Sequence, residues 1–175
     1  MDTTDIEIVS LPVDEWQAYR KIRLEALSDS PQAFGSTFTD HQAKPASFWQ
    51  NRLEEAAKGE RVWLLFARAG VEIVGMIGAY REDPDDPLLS NRLATIMSVY
   101  VTPAARGKGI SKRLMQAILD LLKQEGFPKA QLGVMAEQAA ALHLYLGFGF
   151  SIVQTDNNPM GDGLVHQEYM MERML

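Results

Sequence analysis

The chain contains no cysteine, so neither disulfides, thiolate metal sites nor a cysteine nucleophile can carry its fold or chemistry. It also lacks an apolar run of membrane-spanning length, and the stretch Met1 to Asp5 has no basic region followed by an apolar one. Neither a membrane span nor a secretory signal is therefore expected, and the cytoplasm is the default location. The three histidines, His41, His143 and His166, lack the spacing of metal ligands, and no metal is expected. Repeats, low-complexity tracts and linker-like shifts in composition are missing as well, so residues 1–175 read as one domain. Basic charge is scarce overall. A net charge of −6 and a pI of about 5.1 argue against nucleic acid as the main partner. What is present is a 175-residue chain, 46% hydrophobic and 23% charged, long enough for one well-filled core.

One local absence is more informative than the global ones. From Pro87 to Leu119 there is no Asp or Glu, while Arg92, Arg106, Lys108, Lys112 and Arg113 all fall there. The centre of this segment, residues 96–115, reads as a strand, a Gly-rich basic turn and the start of a helix. Met97, Val99 and Val101 alternate with Ile96, Ser98 and Tyr100, which suits a strand covered on both faces. Pro103 closes it. Ile110, Leu114, Ala117, Ile118, Leu121 and Leu122 then recur at helical spacing towards Gly126. A helix start leaves backbone N–H groups unpaired at the positive end of the dipole, and Gly107 and Gly109 let a ligand approach that backbone closely. With the surrounding cations this is an anion site suited to a pyrophosphate. The spacing meets neither the dinucleotide fingerprint, which needs a third glycine where Lys112 and Arg113 stand, nor the phosphate loop of nucleotide triphosphatases.

Along the chain, residues 6–11 read as an opening strand and Asp14 as the cap of a helix bearing Trp16, Tyr19, Ile22, Arg23, Ala26 and Leu27 on one face. Residues 32–39 read as a shaped loop, with Phe34 and Ser36 candidates for lining a pocket, and Pro45 to Lys58 as a second helix ended by Gly59. Val62 to Ala67 and Val71 to Tyr80 form an expected hairpin about a turn at residues 68–70. An acidic loop at residues 81–87 leads to the central strand. After the central helix come a strand at 130–135, a helix at 139–146, a strand at 151–154, a loop at 157–163 and a last strand at 165–174. Hairpins at both ends of the order predict a mixed α/β sheet of about seven strands flanked by about four helices, not a doubly wound parallel sheet.

Arg106, Gly109 and Ser111 resemble the coenzyme A signature of the GNAT superfamily of N-acetyltransferases, Gln/Arg-x-x-Gly-x-Gly/Ala, with Ser in place of the last small residue. Leu132, Val134, Gln138, Ala141, Leu144, Tyr145, Gly149 and Phe150 are similar to a later motif of that family, with Gln138 replacing an Asn. The order of elements is also that of the family. The resemblance therefore covers essentially the whole chain, most weakly over residues 1–60.

The resemblance implies acetyl-CoA as cofactor and transfer of its acetyl group to a primary amine by direct attack in a ternary complex. It implies that Gly107, Lys108, Gly109, Ile110, Ser111 and Lys112, with Arg106, hold the pyrophosphate, and that the backbone of Val99, Tyr100 and Val101 pairs with pantetheine, helped by Gln138. The backbone N–H of Val99 becomes a candidate oxyanion donor, and Tyr145 a candidate general acid protonated at neutral pH by an ordinary phenol pKa. No carboxylate lies on residues 93–101, so Glu25, Glu82, His166 or solvent remain open as proton acceptors. The acceptor is either a small amine or a peptide or protein amino group. Glu82 to Asp86 would attract cationic ones. An alternative is a non-catalytic acyl-CoA-binding module of the same fold. The last strands are candidates for pairing with a second copy as a homodimer.

Overall fold

A computed structural model describes residues 5–81 and 93–175. Among them are seven strands and five helices: β1 (Ile6–Val9), α1 (Trp16–Asp29), α2 (Phe38–Gln42), α3 (Ala46–Lys58), β2 (Val62–Ala69), β3 (Glu72–Arg81), β4 (Leu93–Val101), α4 (Ile110–Gln124), β5 (Lys129–Met135), α5 (Ala139–Gly147), β6 (Ser151–Pro159) and β7 (Val165–Met174). The strands make one sheet in the order β1-β2-β3-β4-β5-β7-β6. Every neighbouring pair is antiparallel except β4 and β5, which are parallel. The expected mixed sheet is the one observed.

The unbroken apolar run of β2 has a simple cause: each face of the sheet is covered by helix. Trp63, Leu65 and Ala67 join one core with Ile110, Leu114, Ile118 and Leu122 of α4. Leu64 and Phe66, pointing the other way, join a second core with Tyr19, Ile22 and Leu27 of α1 and Trp49 and Leu53 of α3. The central strand divides likewise, Ile96 and Val101 towards α4 and Tyr100 towards α1 and α3.

Several local readings need correction. Residues 32–39 are not simply a loop: α2 begins at Phe38 because the Thr37 side chain accepts from the Asp40 N–H at 3.1 Å and His41 is buried. Asp14 does not cap α1; a 3₁₀ turn at Val13–Glu15 after Pro12 feeds the helix, whose start has no side-chain cap. The β2–β3 turn is Gly70 and Val71, because β2 continues to Ala69. β6 continues to Pro159, so residues 157–159 pair with β7. Pro159 is tolerated because β6 is the free edge of the sheet, where a missing N–H removes no ladder bond. The acidic stretch Glu82 to Asp86, and Arg92, lie outside the described residues. Among the described residues no helix is long and apolar enough to cross a membrane.

Candidate active site

The site begins where the sheet comes apart. β4 and β5 are in register only at Leu93↔Lys129, Ala94↔Ala130 and Thr95↔Gln131, and the last rung is fastened by Gln131 Nε2 donating to Thr95 Oγ1 at 2.8 Å. Beyond it β4 follows β3 to Val101, while β5 follows β7 to Met135. The facing edges of the two strands are left without a partner strand, a row of backbone groups that must find acceptors or donors elsewhere.

A bulge shapes the β4 side of this gap. Met76 pairs with Tyr100 and Gly78 with Met97, so Ser98 and Val99 together oppose Ile77. Ser98 has φ +58°, the one positive value at a non-glycine among the described residues. A bulge interrupts the ladder and re-aims the strand. The bulge is held by Arg23, whose Nη1 donates to Ser98 Oγ at 3.0 Å. Val99, the expected oxyanion donor, is the second residue of the bulge.

At the mouth of the gap lies the start of α4. Gly107 and Gly109 have φ +75° and +74°, and a Cβ on either would meet no atom within 4 Å. Gly109 supplies no side-chain cap. None of the backbone N–H groups from Gly107 to Lys112 hydrogen-bonds to another part of the described chain. This is the anion cradle that the glycine pattern predicts.

The cations around it divide. Arg106 is committed to the protein: its guanidinium pairs with Asp29, donates from Nε to Val101 O at 3.0 Å and lies over the Tyr100 ring at 5.6 Å. Its hydrogen bond to Asp29 holds that carboxyl below the usual range. Arg113 reaches back to Ile6 O at 2.7 Å, and Lys108 to Ala104 O at 3.3 Å. Lys112 makes no hydrogen bond or ion pair with described residues.

Tyr145 of α5 closes the far wall. Its ring is buried against Phe150, and its hydroxyl makes no hydrogen bond among the described residues while the side chain lines the cleft. Burial pushes the phenol well above its ordinary value, so the near-ordinary pKa expected from sequence is corrected upward; the group is more firmly protonated than a free phenol. The Gln138 side-chain carbonyl accepts from Met135 N–H at 3.4 Å.

All of the expected site residues except Lys108 line one cleft of about 410 Å³. Sequence reasoning missed Ser30, Ala33 and His143, which also line it, and the Arg23–Ser98 bond behind it. Phe34 does line the cleft. Ser36 instead offers its carbonyl towards Gly161, whose N–H donates to Phe34 O at 2.7 Å and whose Cβ, if it had one, would lie 2.6 Å from Ser36 O. The β6–β7 turn thereby braces the α1–α2 loop over the cleft. A second, more open cavity of about 720 Å³ lies across Tyr100, bordered by Trp16, Gln17, Lys21, Glu25 and Asp29. Tyr100 donates from its hydroxyl to Glu25 Oε1 at 3.1 Å. His166 is no free base: Nδ1 meets Glu137 and Nε2 meets Asp162 at 2.7 Å.

The sequence matches the model of the acetyltransferase (GNAT) family over residues 16–150, and the chain belongs to that family. It is 27% identical over 140 residues to mycothiol acetyltransferase of Brachybacterium faecium, covering 80% of this chain and 39% of that protein. The chain spans about two fifths of the length of the curated relatives it matches. Its fold is similar to that of ribosomal-protein-alanine N-acetyltransferase from Brucella melitensis, with a TM-score of 0.82 at 19% identity over 97% of this chain and 99% of the other. It is also similar to that of PaiA N-acetyltransferase from Thermoplasma acidophilum in complex with coenzyme A, with a TM-score of 0.76 at 18% identity and the same coverages.

Proposed function

We propose that the chain is an acetyl-CoA-dependent N-acetyltransferase that moves the acetyl group to a primary amine by direct attack in a ternary complex. The observation that carries the reading is the run of unbonded N–H groups at Gly107 to Lys112, set at the mouth of a gap between two strands with bare edges. The residues fit the cofactor. The N–H groups and Lys112 suit a pyrophosphate, and the β4 edge suits an amide-bearing arm that pairs as a strand would. A similar fold has been solved with coenzyme A, and the curated relatives are named as acetyltransferases.

When bound, the cofactor supplies an acetyl thioester and, on transfer, a thiolate leaving group. A new N–C bond then replaces the C–S bond, the amine loses a proton to solvent and the thiolate gains one. The protein's part is to orient, polarise and donate. Val99 N–H, in the bulge, is the oxyanion donor of this reading. Tyr145, kept protonated by burial, holds the proton for the leaving group. Glu25, tied to Tyr100, and His166, tied to two carboxylates, are not needed as bases when the amine is partly neutral. Pairing of two copies along β6, where Ile152 and Val153 are exposed, belongs to the same reading.

The test is thiol release from acetyl-CoA. Release that depends on an added amine supports the enzyme. Saturable coenzyme A binding with no amine-dependent release across a broad panel would leave a binding module.

A further inference from the structure

Arg23 is a buried cation without a counter-charge among the described residues. It stands on α1, and only 8% of its surface is exposed. Its one hydrogen bond goes to the neutral Ser98 Oγ, and its guanidinium carbon lies 4.7 Å from the centre of the Phe34 ring. No carboxylate among the described residues pairs with it. Glu25, two residues on, accepts from Tyr100 instead. The titratable neighbours of Arg23 are Tyr19, whose hydroxyl burial keeps protonated and neutral, and Arg52, another cation. His41 on α2 is held neutral by burial and by the charges of Arg23, Arg52 and Lys44. The cluster behind the cleft is therefore positive in a chain of net charge −6.

A charge taken out of water is costly unless something pairs with it. Elsewhere in this cluster His41 Nδ1, Trp49 Nε1 and Arg52 Nε are sealed without partners, but the unbonded Nε and Nη2 of Arg23 are not among the sealed atoms. They remain open to an incoming group. Their position is also telling. Arg23 grips the bulge residue next to Val99, and Phe34 beneath the guanidinium lines the cleft.

Taking the acetyl-transfer reading as its basis, we propose that Arg23 receives the carboxylate of the acceptor, and that the acceptor class is an α-amino acid or a conjugate keeping its free carboxylate. In such a molecule amine and carboxylate share one carbon. Holding the carboxylate at Arg23 therefore places the amine beside the bulge and the acetyl carbonyl that Val99 polarises. A guanidinium suits this task because its planar fork binds both carboxylate oxygens. Polyamines and internal lysines of proteins lack the group that Arg23 would bind.

The experiment compares the common L-amino acids with their primary amides, and with spermidine, as acceptors of acetyl-CoA, following thiol release in the wild type, R23Q and R23K. The expected result is that at least one amino acid exceeds its amide by about 10²-fold or more in kcat/KM. R23Q should bring that ratio to near unity, and R23K should retain part of it. A merely structural arginine would lower both rates together and leave the ratio alone. If coenzyme A binds and amines are acetylated, but amides or spermidine serve as well as carboxylates, the proposal is overturned. It is equally overturned if coenzyme A binds and no carboxylate-bearing acceptor is turned over. Absence of coenzyme A binding sinks the acetyl-transfer reading itself and this inference with it. If R23Q fails to fold, the wild-type ratio still tests the acceptor class and R23K the part of Arg23.

Discussion

Replacing Gly109 by Ala separates the structural cost of the basic turn from its binding role. A Cβ at Gly109 meets no atom within 4 Å, so no packing is disturbed, and the cost is that of holding an alanine at φ +74°. For an L-residue that is about 1–2 kcal/mol. Gly70, in the β2–β3 turn, provides a matched control, with φ +60° and equally open space. G109A and G70A should therefore lose similar stability in urea unfolding. Their coenzyme A affinities should differ. The methyl of G109A stands among the unbonded N–H groups of residues 107–112. Losing one hydrogen bond to a charged phosphate costs about 1.5–3 kcal/mol, or about 10- to 100-fold in Kd. Titration calorimetry with coenzyme A reads this directly. Equal stability losses with unchanged affinity in G109A would refute the assignment of this turn to the pyrophosphate.

Tyr145→Phe removes a hydroxyl that makes no hydrogen bond among the described residues. It should leave stability within about 1 kcal/mol while lowering kcat by about 10²-fold at unchanged coenzyme A affinity; a loss of affinity instead would make Tyr145 a packing residue. His41, buried among cations, has its pKa pulled down to about 4. The unfolded chain binds the proton first, so stability is full above about pH 6.5 and is lost as pH falls towards 4, by at most about 3 kcal/mol. His41→Phe should flatten that slope in urea midpoints measured across the range. His166 has the opposite sign. Asp162 and Glu137 raise its pKa, so its contribution is complete below about pH 6.5 and fades as pH rises through the raised value. An imidazole NMR titration at or below the free-histidine value would contradict the observed clamp.

Legibility from sequence followed how local the cause was. The start of α4 could be read because Gly107, Gly109 and Pro103 act through their own backbone. The two-faced apolar run of β2 could be read because burial on both sides leaves no polar position. The positive φ of Ser98 could not be read, since nothing in a serine marks it; the bulge is imposed by the β3 register and held by Arg23 from 75 residues away. Arg23 itself looked like one more position on the apolar face of α1. Arg106 matched a motif, yet its guanidinium is used by Asp29 and Tyr100, a fact that needs the packing of α1 beside β4. Gly161 lay in what read as loop, and its close approach to Ser36 appears only when the two ends of the chain meet.

The parting of β4 from β5 bears on what holds the molecule together. Three rungs, Leu93 to Thr95 against Lys129 to Gln131, join a four-stranded half to a three-stranded half. On the proposed reading, a ligand arm in the gap would act as a surrogate strand, its backbone-like amides completing a ladder that the chain leaves unfinished. Folding and occupancy then draw on the same hydrogen bonds, so ligand should raise the melting temperature in proportion to the logarithm of its concentration. Protection from hydrogen exchange should spread along β4 from Ile96 towards Val101. The protein without its ligand is, in this sense, a sheet with one strand held in reserve.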